Sequence, residues 1–132
     1  MQLIFQNGDT KTFTKIVQAN EIASFESGTV HEVYSTFAIA RDAEWSGRLF
    51  VLEMKEADEE GIGTQIHVEH KSPAFVGDEI TYIATFEEVK TNGEIITTFE
   101  AYCAKRLVAM GLQGQRILPK AKIDAVFAKS KQ

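Results

Sequence analysis

Apolar and polar positions follow a helical period over about residues 37–55 and a strand period downstream of it. From about Phe37 to Lys55 the apolar residues Phe37, Ile39, Ala40, Ala43, Trp45, Leu49, Phe50, Leu52 and Met54 fall around much of a helical wheel. This pattern predicts one long helix, apolar on most of its circumference and therefore largely buried. Thr36 stands where an N-cap residue belongs, and the acidic run Glu56 to Glu60 followed by Gly61 closes the helix. Gly47 in its middle costs helix propensity, which predicts close approach of another backbone at that point. Downstream the period shortens to two, predicting strands over about 63–70, 79–89, 94–104 and 107–118. Thr91-Asn92-Gly93 is a hairpin signal and Lys105-Arg106 a second short turn, so these strands should pair antiparallel. Upstream, Asn7-Gly8 predicts a turn before a strand over 12–17. Residues 20–35 read as irregular, broken at Ser27-Gly28.

Strand, buried helix, then a four-stranded antiparallel run is an α+β order. A curved antiparallel sheet wrapped around one long central helix satisfies it, which is the hotdog arrangement; an α+β sandwich fits the pattern too. At 132 residues the chain reads as a single domain over 1–132. A net charge of -5 argues against a nucleic-acid or anionic-membrane partner, and the lysines between 120 and 131 read as a solubilising tail. Cys103 is the sole cysteine, so no internal disulfide forms, as suits a reducing cytoplasm. The N-terminus has no basic leader, and no apolar run is long enough to span a bilayer. Nothing in the sequence calls for a metal or a cofactor.

Candidate chemistry gathers on few residues. In a strand over 63–70, Thr64, Ile66, Val68 and His70 share one face, while Gln65, His67 and Glu69 share the other. A metal site of His67, Glu69 and His70 is thereby excluded, because the ligands diverge. His70 faces the helix. Glu44 sits amid Ala40, Ala43 and Trp45, where a carboxylate is costly to bury without a partner. Thr36 lies two turns and a little before it, on roughly the same side of the helix. Taken singly, Thr36 reads as a cap, Glu44 as a partner of Arg48, and His70 as a core histidine; only the combination points to catalysis. Cys103 joins the apolar face of Ile95, Thr97, Phe99 and Ala101, and His31 has no evident partner. No nucleotide loop or serine elbow is present.

Four pieces together resemble the fluoroacetyl-CoA thioesterase family of single-hotdog proteins: Glu32-Val33-Tyr34-Ser35-Thr36, the helix with Glu44-Trp45, Gly63-Thr64-Gln65-Ile66-His67-Val68-Glu69-His70, and Pro73-x-x-x-Gly77. The similarity runs from about Phe13 to Phe127. It implies hydrolysis of a small or medium acyl-CoA by a homodimer, or by a tetramer in which two dimers pair, with active sites at the subunit interface. Thr36, Glu44 and His70 would be the catalytic set, converging on one cleft, with Gly63 offering its backbone N–H to the thioester carbonyl. Two departures stand out. Where the fluoroacetyl-specific enzyme carries a phenylalanine lid, Phe25-Glu26-Ser27-Gly28-Thr29-Val30 holds one aromatic ring, which points to another acyl group. Where relatives show Gly-x-His-x-Arg in the last strand, Gln113 replaces the histidine and the arginine is shifted to Arg116. A hotdog enoyl-CoA hydratase or dehydratase and a non-catalytic acyl-CoA-binding module are the alternatives.

Overall fold

The computed structural model describes residues 1–132. Its elements are β1 (Thr10–Ile16), a 3₁₀ turn (Ala19–Glu21), β2 (Ile22–Phe25), β3 (Gly28–Tyr34), α1 (Thr36–Met54), β4 (Glu59–His70), β5 (Glu79–Val89), β6 (Ile95–Cys103), β7 (Arg106–Pro119) and α2 (Lys120–Ser130). Five strands form one sheet in the order β1-β5-β6-β7-β4, every neighbouring pair antiparallel. All five touch α1, so the sheet curls around the helix as its apolar pattern requires.

Alternation in β5 and β6 builds the concave side. Ile80, Tyr82, Ala84 and Phe86 of β5, with Ile95, Phe99 and Ala101 of β6, turn inward. They meet Ile39 and Ala43 from one half of α1, and Phe50, Val51 and Met54 from the other. A buried aliphatic or aromatic side chain contributes about 1.5–3 kcal/mol, so this contact dominates the folding energy.

Several expectations are corrected. Ser35, not Thr36, is the N-cap: its hydroxyl oxygen accepts from the Ala38 N–H at 3.2 Å, and Thr36 is the first helical residue. The helix is not buried all round, because the sheet covers one side and leaves Phe37, Trp45 and Leu52 about half exposed. Residues 20–35 are not irregular. The β2–β3 hairpin, paired with register breaks, occupies most of that span. β4 begins at Glu59, so Glu59 and Glu60 belong to the sheet. The lysine-rich tail folds as α2, which is held by Ile123 and leaves Val126 and Phe127 half exposed. No helix is long and apolar enough to cross a membrane.

Two contacts tie α1 to the β4–β7 side. At Gly47 a Cβ would overlap the Gln113 amide and lie 2.7 Å from Thr97 Oγ1. The close neighbour is therefore a buried side chain rather than the backbone expected. Gln113 Nε2 donates to Thr97 Oγ1 at 2.5 Å, and Gln113 Oε1 accepts from Gln115 Nε2 at 2.8 Å. At the outer end, Arg48 Nη1 donates to Glu60 at 2.9 Å and the Gly61 N–H donates to the same oxygen at 2.8 Å. The Arg48 hydrogen bond, helped by the Gly61 amide, pulls the Glu60 carboxyl down to about 2 from its ordinary 4.5.

Gly47→Ala should destabilise the fold by about 1–3 kcal/mol through overpacking, read as a lower urea midpoint. Glu60→Gln should cost less than about 1 kcal/mol at neutral pH, because the pair is part exposed. The carboxyl is lowered on folding, so its contribution is full above pH 4.5 and fades towards about 2. Denaturation of wild type and variant across that window should converge as the pH falls.

Candidate active site

β4 carries a one-residue irregularity that decides which side chains face the helix. Gly63 pairs with Gln115 and Gln65 with Gly114, leaving Thr64 as an extra residue with no partner on β7. Such a bulge resets the alternation. Gln113 and Gln115 face α1, and cross-strand partners share a face, so Gly63 and Ile66 face α1 too. Val68 and His70 continue on that side. Thr64, by contrast, turns away and donates its hydroxyl to Glu94. The sequence-based expectation that Thr64 shares the His70 face is thus overturned by the bulge, while Ile66, Val68 and His70 stand as expected.

The functional candidates form two separate groups. At the start of α1 the Thr36 hydroxyl and His70 Nε2 share a hydrogen bond of 2.7 Å, both residues exposed. With Nε2 unprotonated the hydroxyl donates, and the imidazole is placed to take its proton. Two turns on, the Glu44 carboxylate overhangs Gly63: a Cβ there would sit 2.7 Å from Glu44 Oε1. Only glycine admits the carboxylate so near the strand. Glu44 is not the buried carboxylate expected but exposed, because it lies on the side of α1 that the sheet leaves open.

Thr36, Glu44 and His70 do not meet in one cleft of the single chain. Eight residues of α-helix place Thr36 and Glu44 about 12 Å apart along the axis. His70 borders a cleft of about 270 Å³ with Val33, Tyr34 and Pro73. Glu44 and Gly63 border another, about 210 Å³, with Arg41, Trp45, Arg48 and Gln115. Each is smaller than the roughly 300–1,000 Å³ usual for small-molecule sites.

A buried polar cluster behind the Thr36 end escaped sequence reasoning. Tyr34 donates its hydroxyl to Asp42 and shares a 2.8 Å hydrogen bond with the Tyr82 hydroxyl. Lys15 Nζ bridges Asp42, at 2.9 Å, and Glu21. Arg41, itself exposed, closes the ring on both carboxylates from the solvent side. Burial, then the neighbouring phenol, pushes the Tyr34 hydroxyl far above its ordinary value. Burial opposes ionisation of Glu21, yet hydrogen bonds from Lys15, the Gln18 backbone and Arg41 hold it below the carboxylate range. The cluster joins β1, the 3₁₀ turn, β3, β5 and α1 around the residues just before Thr36. Lys15, Glu21, Asp42 and Tyr82 are spread too far along the chain for their meeting to be foreseen. His67 lies outward beside Glu69 at 3.4 Å, and Cys103 packs against the core.

The comparisons with known proteins agree with this architecture. A hypothetical protein from Thermus thermophilus, described as a thioesterase superfamily member, is 32% identical with a TM-score of 0.91, covering 96% of this chain and 93% of that one. The fluoroacetyl-CoA thioesterase FlK superposes with a TM-score of 0.85 at 19% identity, over 95% and 96% of the two chains. A hot-dog-like protein from Thermanaerovibrio acidaminovorans gives 0.87 at 18%, over 96% and 93%. These last two establish the hotdog fold, which replaces the sandwich alternative. No curated protein is similar enough in sequence to count as a match. The model of the family described as "FlK: Fluoroacetyl-CoA-specific thioesterase" matches residues 17–121, most of the chain. On that match and the Thermus thermophilus likeness, this chain belongs to the fluoroacetyl-CoA-specific thioesterase family and is a thioester hydrolase of the hotdog fold.

Proposed function

We propose that the protein hydrolyses a small or medium acyl-CoA as a homodimer of single-domain chains, each active site combining Thr36 and His70 of one copy with Glu44 and Gly63 of the other. The observation that carries this reading is the opposed direction of α1 and β4. Thr36 meets His70 at one end, and Glu44 meets Gly63 at the other. The two half-sites are separated by about 12 Å of helix and about 20 Å of strand. A second copy related by a two-fold axis and laid antiparallel along β4 exchanges the ends, bringing unlike halves together. β4 is suited to this, being an edge strand paired only with β7 and exposed from Gly63 to His67. Ile66, Trp45 and Phe37 add exposed apolar surface beside it.

In such a site His70 accepts and returns a proton as a general acid–base group, and Glu44 acts as base or nucleophile towards the thioester. The Gly63 N–H stabilises the charge that grows on the carbonyl oxygen. Thr36 fixes the imidazole through their shared hydrogen bond. The acyl group is not assigned to fluoroacetate, because the segment before Thr36 offers only Phe25 as a lid ring, exposed at 63%. A cytoplasmic location fits the lone, unpaired Cys103.

Purified protein should release free thiol from members of an acyl-CoA panel, and no turnover across short and medium chains would end the reading. His70→Ala and Glu44→Ala should each lower kcat/KM by about 10²–10⁴-fold. Mixing Thr36→Ala with Glu44→Ala subunits, unfolded and refolded together, should restore about a quarter of wild-type activity, since half the dimers are mixed and each holds one intact site. A site built within one chain would instead leave the mixture inactive.

A further inference from the structure

On the face of the sheet turned away from α1, behind the bulge, lies a carboxylate that the proposed reaction does not use. Glu94 stands just before β6 and is only 9% exposed. It accepts from the Thr64 hydroxyl and from Gln65 Nε2, the latter at 3.0 Å. Its donors are thus the extra residue of the bulge and the residue that resumes the register. We propose that Glu94 is a positioning residue for the Gly63 donor: its carboxylate pins the bulge, and the pinned bulge aims Gly63 into the cleft beneath Glu44.

Three observations carry this. First, Gly114 sits behind the clamp with no side chain, and a Cβ there would overlap both the Glu94 carboxylate and the Thr64 hydroxyl. The β7 backbone leaves room for the interaction and for little else. Second, Glu94 is itself fixed. Its N–H donates to Asn92 Oδ1 at 2.9 Å, its carbonyl accepts from the Lys90 N–H at 2.8 Å, and Lys90 Nζ lies 3.5 Å from its other carboxylate oxygen. The Thr91-Asn92-Gly93 turn therefore holds the clamp rigidly against the bulge. Third, the bulge has a consequence that alternation alone forbids, placing Gly63 and His70 on the same face of β4. Bulges left unpinned at a sheet edge can slip, and a slip of one residue sends every side chain to the opposite face. The hydrogen bonds from Thr64 and Gln65 keep the Glu94 carboxyl below its usual range, so the acceptor stays ionised at neutral pH.

The inference rests on the thioesterase reading for the role of Gly63, and its test separates the two. Full-length Glu94→Ala, Thr64→Val and Thr64→Ser would be compared with wild type by amide hydrogen exchange and by thiol-release kinetics. In Glu94→Ala and Thr64→Val, exchange over residues 60–66 should quicken at least about tenfold with the rest of the sheet unchanged, a local opening rather than global unfolding. Their kcat should fall about tenfold with KM held within about twofold, because a displaced donor is missed mainly in the transition state. Thr64→Ser keeps the hydroxyl and should restore both. Unchanged exchange in folded Thr64→Val overturns the clamp. Quickened exchange with unchanged kcat overturns its role in placing Gly63. Should Glu94→Ala fail to fold, the Thr64 pair decides alone. If wild type releases no thiol, the thioesterase reading fails, while the exchange measurement still decides whether Glu94 holds the bulge.

Discussion

A β-strand sends successive side chains to opposite faces, so residues an odd number apart cannot both look at the same helix. Gly63 and His70 are seven apart, and both face α1 because Thr64 adds one unpaired residue between them. Every other feature of the candidate site depends on that extra residue. It leaves the backbone of Gly63 beneath Glu44 and carries His70 to the Thr36 hydroxyl. It also turns the Thr64 side chain to the sheet face away from α1, where its hydroxyl donates to Glu94. An uninterrupted β4 could present a glycine to the carboxylate or a histidine to the hydroxyl, but not both.

Around this constraint the packing of α1 against the sheet is apolar, interrupted by polar groups at two places. Gln113 and Gln115 occupy the concave face between two apolar clusters and bond to each other, with Thr97 completing the chain. Gln115 Nε2 also reaches the Glu44 carbonyl at 3.4 Å. Buried amides of this kind are tolerated only when paired. Here the pairing ties the helix turn that bears Glu44 to the strand opposite Gly63. The Lys15, Glu21, Arg41, Asp42, Tyr34 and Tyr82 cluster does the same for the Thr36 end. Each half-site therefore has its own buried polar support. Losing one partner of such a cluster would leave a desolvated charge, which is why these groups specify geometry more than they add stability.

The division into halves follows from two repeat lengths. A helix rises about 1.5 Å per residue and a strand about 3.3 Å, so two elements that run antiparallel can share contacts at two points without joining them. A two-fold axis perpendicular to β4 at its free edge resolves the mismatch under the proposed reading, because it reverses the order of the halves. The exposed row from Gly63 to His67, unusual for a twelve-residue edge strand, is then surface awaiting a partner strand rather than an unguarded edge.

Much of this was legible along the chain. The switch from helical to strand period placed α1, β5, β6 and β7 within a few residues, and the breadth of apolar positions was satisfied by a sheet curled around the helix. Residue chemistry and position drew attention to Thr36, Glu44 and His70, and the family resemblance added Gly63 and implied that the set is catalytic. The β2–β3 hairpin was hidden because its residues pair only with each other and break register, leaving no steady alternation. The helix α2 was hidden because its lysines mask a face on which Ile123 alone is buried. Sequence determined which groups are available and which elements carry them, since periodicity and residue chemistry are local properties. Only tertiary structure decided that Ser35 caps the helix, that Glu44 is open to solvent, that Thr64 is the extra residue, and that the two halves stand apart. Those outcomes depend on register between strands and on which side of a helix a sheet covers, and neither is set by residues close together in the chain.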